Sequence, residues 1–248
     1  MKYLILFELM IGAMLLILFF WYRTEIKKME NDDPEVWRKV VEAFEKPMIS
    51  AEENKKRVLF LGSSSIRFWK NLDDTFNQVY VIKRGFGGAK INDINYFFDL
   101  LVADAEPHAI VFFAGTNDLT GRKNDKTPQE LFGGFREFMD KVERSFPSTI
   151  VYFLAVTPTT SRSQVWPMAQ EFNNMVKEWA EEHETLEFLD TTPVMTDQEG
   201  SADPSFLFWD GTHLNSKGYG LWNQLVREAL IRDGFFERPV PDASGKQK

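Results

Sequence analysis

Three consecutive serines, Ser63-Ser64-Ser65, follow Gly62 directly after a short apolar run, VLFL at 58–61. A serine hydroxyl is a weak nucleophile until a neighbouring base takes its proton. Three histidines are available for that task. His108 precedes the run AIVFFA at 109–114, which sets it at the far edge of a parallel sheet. His183 lies in EEHET, at the charged, solvated end of a helix. His213 lies in Asp210-Gly211-Thr212-His213-Leu214-Asn215, just before the last helix, with a carboxylate three residues upstream. Elimination leaves His213 as the base and Asp210 as the group that orients it. A lone histidine is more often structural than catalytic. Here a carboxylate in reach and a serine turn at the same sheet edge reverse that prior.

The elements that must hold these groups alternate short β-rich runs with longer helical ones. The runs are 58–61, 79–82, 109–114, 149–156 and 186–189, apolar on both faces as strands covered on two sides should be. One helical stretch carries Leu131, Phe132, Phe135, Phe138, Met139 and Val142. Another carries Phe172, Met175, Val176 and Trp179, and a last one Trp222, Leu225, Val226 and Leu230. Such alternation predicts a parallel sheet with right-handed crossovers in a three-layer α/β/α domain. Ligands of such sheets bind beyond the carboxyl ends of the strands. Three Gly-bearing turns gather there, at Gly62–Arg67, Arg84–Gly88 and Ala114–Asp118, small enough for close backbone approach to a ligand.

Ahead of this domain, Leu4 to Tyr22 is apolar apart from Glu8. Its ~19 residues at 1.5 Å rise span about 28 Å, which predicts a transmembrane helix over 1–23 and a single-pass membrane anchor. Trp21 and Tyr22 suit an interfacial belt. A cleaved signal peptide fits less well, because no small-x-small site follows. Arg23, Lys27 and Lys28 outnumber Lys2 and lean toward a cytoplasmic C-terminal domain, but the side of the membrane stays open. Residues 24–56 read as a connector holding one helix. Asp33 is its N-cap, Pro34 its first position, Val36, Trp37, Val40, Val41 and Phe44 its apolar face, and Pro47 its end. The main domain then covers 57–238, and a polar, disordered tail covers 239–248.

The composition is that of a folded chain: 44% hydrophobic, 27% charged and 15% aromatic. A net charge of −8 without a basic patch argues against nucleic acid as a partner. The absence of cysteine excludes disulfides, a thiol nucleophile and Cys-based zinc sites. GFGGAK lacks the phosphate-loop spacing, and Lys90 fills the last position of a dinucleotide fingerprint. GSSSI is likewise not the GxSxG elbow of α/β-hydrolases.

Four blocks in order, GSSSIRFW, RGFGG, GTND and DGTHLN, spread over about 150 residues, resemble those of SGNH/GDSL hydrolases. The variant that reads GSSSIR-x-W is especially similar. The resemblance implies a flavodoxin-like fold with a five-stranded parallel sheet, and esterase, lipase or acylesterase activity without a cofactor or metal. By position it implies Ser64 as the nucleophile, Gly88 and Asn117 as oxyanion-hole residues, and Asp210 with His213 as the rest of a triad. The oxyanion donors are then the backbone N–H groups of Ser64 and Gly88 and the Asn117 carboxamide. Ser63 departs from the Asp of the family name, and Lys83 from the Asn that often opens the second block. Ser63 and Ser65 read as turn residues, Asp118 as a local cap, and Arg67 and Trp69 as braces. Arg162 and Trp166 read equally well as cleft lining or as structure. A serine esterase acting on a small-molecule, glycan or lipid ester is thus the leading expectation. A non-catalytic, membrane-anchored binding module on the same fold is the alternative.

Overall fold

The structure, a computed structural model, describes residues 2–44, 55–122 and 124–237. Five strands form one sheet: β1 (Arg57–Gly62), β2 (Tyr80–Gly85), β3 (Ala109–Phe113), β4 (Ile150–Leu154) and β5 (Leu186–Leu189). Their order is β2-β1-β3-β4-β5 and every pairing is parallel. The register sets Gly62 opposite Gly85 on one side and Phe113 on the other, so the carboxyl ends of β2, β1 and β3 finish together. That alignment brings the three Gly-bearing turns to one edge.

Alternate side chains of each strand enter different layers, as a two-residue period requires. Leu59, Leu61, Ile110, Phe112, Val151 and Phe153 pack into one apolar cluster. Their neighbours Val58, Phe60, Val111, Phe113, Tyr152 and Leu154 pack into the other. The first cluster is closed by α5 (Ile91–Tyr96), α7 (Pro128–Ser145) and α8 (Trp166–Ala180); the second by α3 (Ser64–Phe68) and α10 (Ser216–Arg232). Each fully buried Phe contributes about 1.5–3 kcal/mol relative to exposure, so both layers are strongly held. Short helices α4 (Leu72–Thr75), α6 (Phe98–Leu101) and α9 (Thr192–Met195) complete the domain.

The start of α7 is set by a reciprocal cap. Thr127 Oγ1 accepts from the Glu130 amide at 3.2 Å, the Glu130 carboxylate accepts from the Thr127 amide at 2.7 Å, and Pro128 takes the first helical position. The two glycines inside this helix differ in purpose. A Cβ on Gly134 would lie 3.3 Å from Ile91 Cγ2, so Gly134 lets α5 approach. Gly133 is exposed and a Cβ there meets nothing within 4 Å. Gly133→Ala is therefore expected to raise stability by about 0.5–1 kcal/mol. Urea denaturation checks this, and an unchanged midpoint would count against it.

The N-terminal region departs from expectation. Helix α1 runs Lys2–Glu30, well past residue 23, so the connector begins later than the sequence suggests. Every side chain described from Phe7 to Phe20 is exposed. Among the described residues no helix is long and apolar enough to cross a membrane, and the expected transmembrane anchor is not supported. The connector helix starts as expected, with Asp33 Oδ1 accepting from the Glu35 amide at 3.0 Å. It opens as a 3₁₀ turn, Pro34–Trp37, and continues as α2 (Arg38–Glu42). Trp37 and Val41 are buried, while Val40 faces solvent rather than joining the apolar face. The expected end at Pro47 and the tail 239–248 lie outside the described residues.

Candidate active site

Gly62 closes β1 at φ +149°, and a Cβ there would stand 1.9 Å from the Phe113 carbonyl oxygen. That oxygen instead accepts from the Ser63 amide at 3.0 Å. The chain turns over this contact, and Ser64 becomes the first residue of α3, where its amide has no partner inside the helix. Gly85 gives the same short helix its seat on β2, since a Cβ there would press on Arg67 N at 2.5 Å and on Ile66.

The loop ahead of α10 brings His213 to Ser64. Asp210 Oδ1 accepts from the amides of Thr212 and His213 at 2.9 and 3.0 Å, which folds the loop around the carboxylate. Asp210 Oδ2 lies 2.6 Å from His213 Nδ1, and His213 Nε2 lies 2.9 Å from Ser64 Oγ. With Nδ1 protonated toward the carboxylate, Nε2 is left as an acceptor for the serine proton. Phe68 packs edge-on against the imidazole at 4.9 Å between centroids and limits its rotation. Burial works against the charge of Asp210. The hydrogen bonds from the His213 ring and the two amides outweigh it and hold the carboxyl below its ordinary range.

Gly88 has φ +81°, and Asn117 is buried beside it. Asn117 Nδ2 donates to the Ala89 carbonyl at 3.1 Å, while its Oδ1 accepts from Arg162 at 3.4 Å. Arg162 also donates to the Thr116 carbonyl. The residues expected at the site therefore collect from four separate loops. The other two histidines stand apart: His108 Nδ1 accepts from the Arg57 amide at the opposite end of the sheet. His183 is half-buried rather than solvated; its ring lies 4.0 Å from that of Trp179.

Other departures resolve locally. Lys83 Nζ donates to the Trp69 carbonyl at 2.6 Å. Trp69 is buried and donates to Asn223 at 2.8 Å, as a brace should, whereas Arg67 is exposed and lies over Phe68. Ser63 Oγ is buried without a hydrogen-bond partner among the described residues. Trp166 donates to the Gly200 carbonyl at 3.2 Å. Two contributions had no counterpart in the sequence reading. A Cβ on Gly88 would stand 2.8 Å from Trp37 and 3.0 Å from Met29, so the end of α1 and the connector cover the Gly88 turn. A cavity of about 490 Å³ opens beside Asn117 and Thr212, walled in part by Met29 and Glu30. The amphipathic pattern around Trp37 signals that it is buried, but nothing local says against what.

Asp118 is buried and accepts from the Ile91 amide at 3.3 Å, a cap on α5. Burial, reinforced by nearby Asp93, pushes its pKa up to about 8. Burial likewise pushes Asp93 up to about 6. Both values exceed those of the unfolded chain, so the folded state holds the extra protons. Their stabilising contribution is full below about pH 4 and is lost as pH rises through about 6 and then 8. The melting temperature is expected to fall between about pH 5 and pH 9, and Asp118→Asn should flatten that fall. Parallel profiles for the two proteins would refute the assignment.

Residues 61–221 match the family described as GDSL-like Lipase/Acylhydrolase, and the chain belongs to this family of ester hydrolases. Its fold is similar to that of a GDSL-like lipase from Bacteroides thetaiotaomicron VPI-5482, at 20% identity over 81% of this chain and 98% of that one, with a TM-score of 0.66. A lipase/acylhydrolase from Enterococcus faecalis is similar at 18% identity, 72% and 96% coverage and a TM-score of 0.57. A carbohydrate esterase family 3 protein from Talaromyces cellulolyticus is similar at 18% identity, 71% and 97% coverage and 0.59. Comparison with curated protein sequences gives no match.

Proposed function

We propose that this chain cleaves carboxylic esters by an acyl-serine route, with Ser64 as nucleophile, His213 as general base and acid, and Asp210 as its orienting carboxylate. The observation that carries this reading is the unbroken chain of hydrogen bonds from Ser64 Oγ through both nitrogens of His213 to Asp210 Oδ2. As Oγ attacks the ester carbonyl, its proton passes to Nε2, and Asp210 stabilises the imidazolium. The tetrahedral oxyanion is met by the backbone N–H groups of Ser64 and Gly88 and the Asn117 carboxamide. Arg162 and the Ala89 carbonyl hold that carboxamide from either end, so its donor is oriented before substrate arrives. His213 then returns the proton to the leaving alcohol, and water releases the acyl group by the same steps in reverse. Labelling by a fluorophosphonate tests the reading: wild type should react at Ser64 and Ser64→Ala should not. Equal labelling of both would sink it.

A membrane location is supported by a separate observation, the exposed apolar flank of α1 ending in Lys27 and Lys28. A helix apolar all round in this way buries that surface in lipid, and basic residues at one end favour anionic headgroups. The full chain is expected to float with vesicles of phosphatidylcholine and phosphatidylglycerol, and a variant lacking residues 2–22 to stay behind. If both remain in the lower fraction, this reading fails.

A further inference from the structure

The cavity beside the catalytic groups is polar. Apart from Met29, every residue of its wall carries a hydrogen-bonding side chain. Such a lining offers hydrogen-bonding groups on most sides, and it suits the polar part of a small ester. Three cations reach the wall, Lys90, Arg122 and Arg162. Two of them are already neutralised. Lys90 Nζ lies 2.7 Å from Asp32 Oδ1 and also donates to the Asn31 carbonyl. Arg122 lies 3.0 Å from Glu30 Oε1. The wall's other carboxylate, Asp125, is occupied by the Thr120 amide and hydroxyl and the Gly121 amide.

Arg162 differs. Its partners are two neutral oxygens, the Thr116 carbonyl and Asn117 Oδ1, and among the described residues no carboxylate forms an ion pair with it. Asp125 and Asp210 act on it only through space, and Arg122 opposes them. A half-buried guanidinium without a counter-ion is costly to hold. It has five N–H donors in a planar fork that matches a carboxylate, sulfate or phosphate. The loop that carries it is tied to the loop of the base: the Ser161 amide donates to the Gly211 carbonyl at 3.1 Å, and Ser161 Oγ lies 2.6 Å from Thr212 Oγ1. The guanidinium is therefore fixed relative to His213.

We propose that Arg162 is the anion-binding residue of this cleft, and that the ester attacked by Ser64 carries a carboxylate, sulfate or phosphate group that docks on it. The proposal rests on the esterase reading above for its substrate, and on the cavity alone for its anion. An anionic ester docked there has its charge paired by Arg162, while its carbonyl lies within reach of the neighbouring Asn117 carboxamide.

The test compares para-acetoxybenzoate with the neutral para-acetoxybenzamide on wild type, Arg162→Gln and Arg162→Lys. A charge-assisted contact is worth about 10–100-fold in the preference for the anion. That preference should fall at least about tenfold in Arg162→Gln and recover in part with lysine, which keeps the charge without the fork. Intrinsic reactivity of the two esters cancels in this comparison. An equal fall on both esters would overturn the proposal, because Arg162 would then act only by holding Asn117. Binding of para-acetoxybenzoate to Ser64→Ala, read by calorimetry, needs no turnover. Its Kd should rise at least about tenfold when Arg162→Gln is added, and an unchanged Kd would overturn the proposal. If wild type cleaves neither ester while binding still depends on Arg162, the esterase reading fails and the anion site stands. A soluble anionic ester and a lysophospholipid share this chemistry. Oleate release from lysophosphatidate, set beside acetate release from para-acetoxybenzoate, tells the two sources apart.

Discussion

Ser64→Ala is expected to lower kcat for an aryl acetate by about 10⁴–10⁶ while leaving the melting temperature nearly unchanged. Alanine removes the oxygen that His213 Nε2 faces at 2.9 Å, and no neighbour can replace it: Ser63 and Ser65 are both buried in the turn. What survives is the positioning and oxyanion stabilisation that a water molecule can still exploit, typically about 10³–10⁴ over the uncatalysed rate. His213→Ala should cost about as much, and the double variant little more, because the two groups act as one unit. Asn117→Ala should cost less, on the order of 10²–10³, since two donors remain. Single-turnover kinetics on p-nitrophenyl acetate measures all four. A Ser64→Ala protein within tenfold of wild type would remove the proposed mechanism.

Gly62→Ala is the second large effect, and it falls on the fold. A Cβ at this position would sit 1.9 Å from the Phe113 carbonyl oxygen, a backbone atom of the neighbouring strand that cannot swing aside. The φ of +149° adds backbone strain for any L side chain. Relief means pulling β1 from β3 just where the Ser63 amide donates to the same oxygen. Steric and conformational costs together are at least about 3 kcal/mol. For a chain of this size that is about 6–12 °C in melting temperature. Ser64 moves with the turn, so activity should fall as well. A thermal melt within about 2 °C of wild type would show that the turn yields more easily than its packing implies.

These two positions also show how far local sequence carries. Gly62 and the serines could be read as a tight turn after a strand, because an apolar run ending in small residues has few other uses. The inner strands β1, β3 and β4 were legible for the same reason: a segment buried on both faces must be apolar almost throughout, whereas the edge strands β2 and β5 carry Lys83 and Glu187. The choice of His213 among three histidines rested on order along the chain and on the carboxylate three residues upstream. His108 precedes a strand and His213 precedes a helix, which puts them at opposite ends of a parallel sheet. Val40 and the length of α1 were read less well. A helical period tells which residues share a face, and says little about which edge of that face meets another element. For α1, apolar length in the sequence suggested a span, whereas among the described residues no helix is long and apolar enough to cross a membrane.

The turn sequences, the strand pattern and the Asp210-x-x-His213 spacing determined that Ser64, His213 and Asp210 would meet at the carboxyl edge of a parallel sheet. Local periodicity and chain order suffice for that. Only the tertiary structure decided what walls the cleft. Arg162 reaches Asn117 across 45 positions of sequence, Glu30 reaches Arg122 across 92, and Met29 and Trp37 close over Gly88. Such contacts depend on how whole layers pack, and a single side chain carries no record of the partner that packing will bring to it. Ser64 was therefore readable as part of a site from its own neighbourhood, while the chemistry around its substrate lies in residues that the chain keeps far apart.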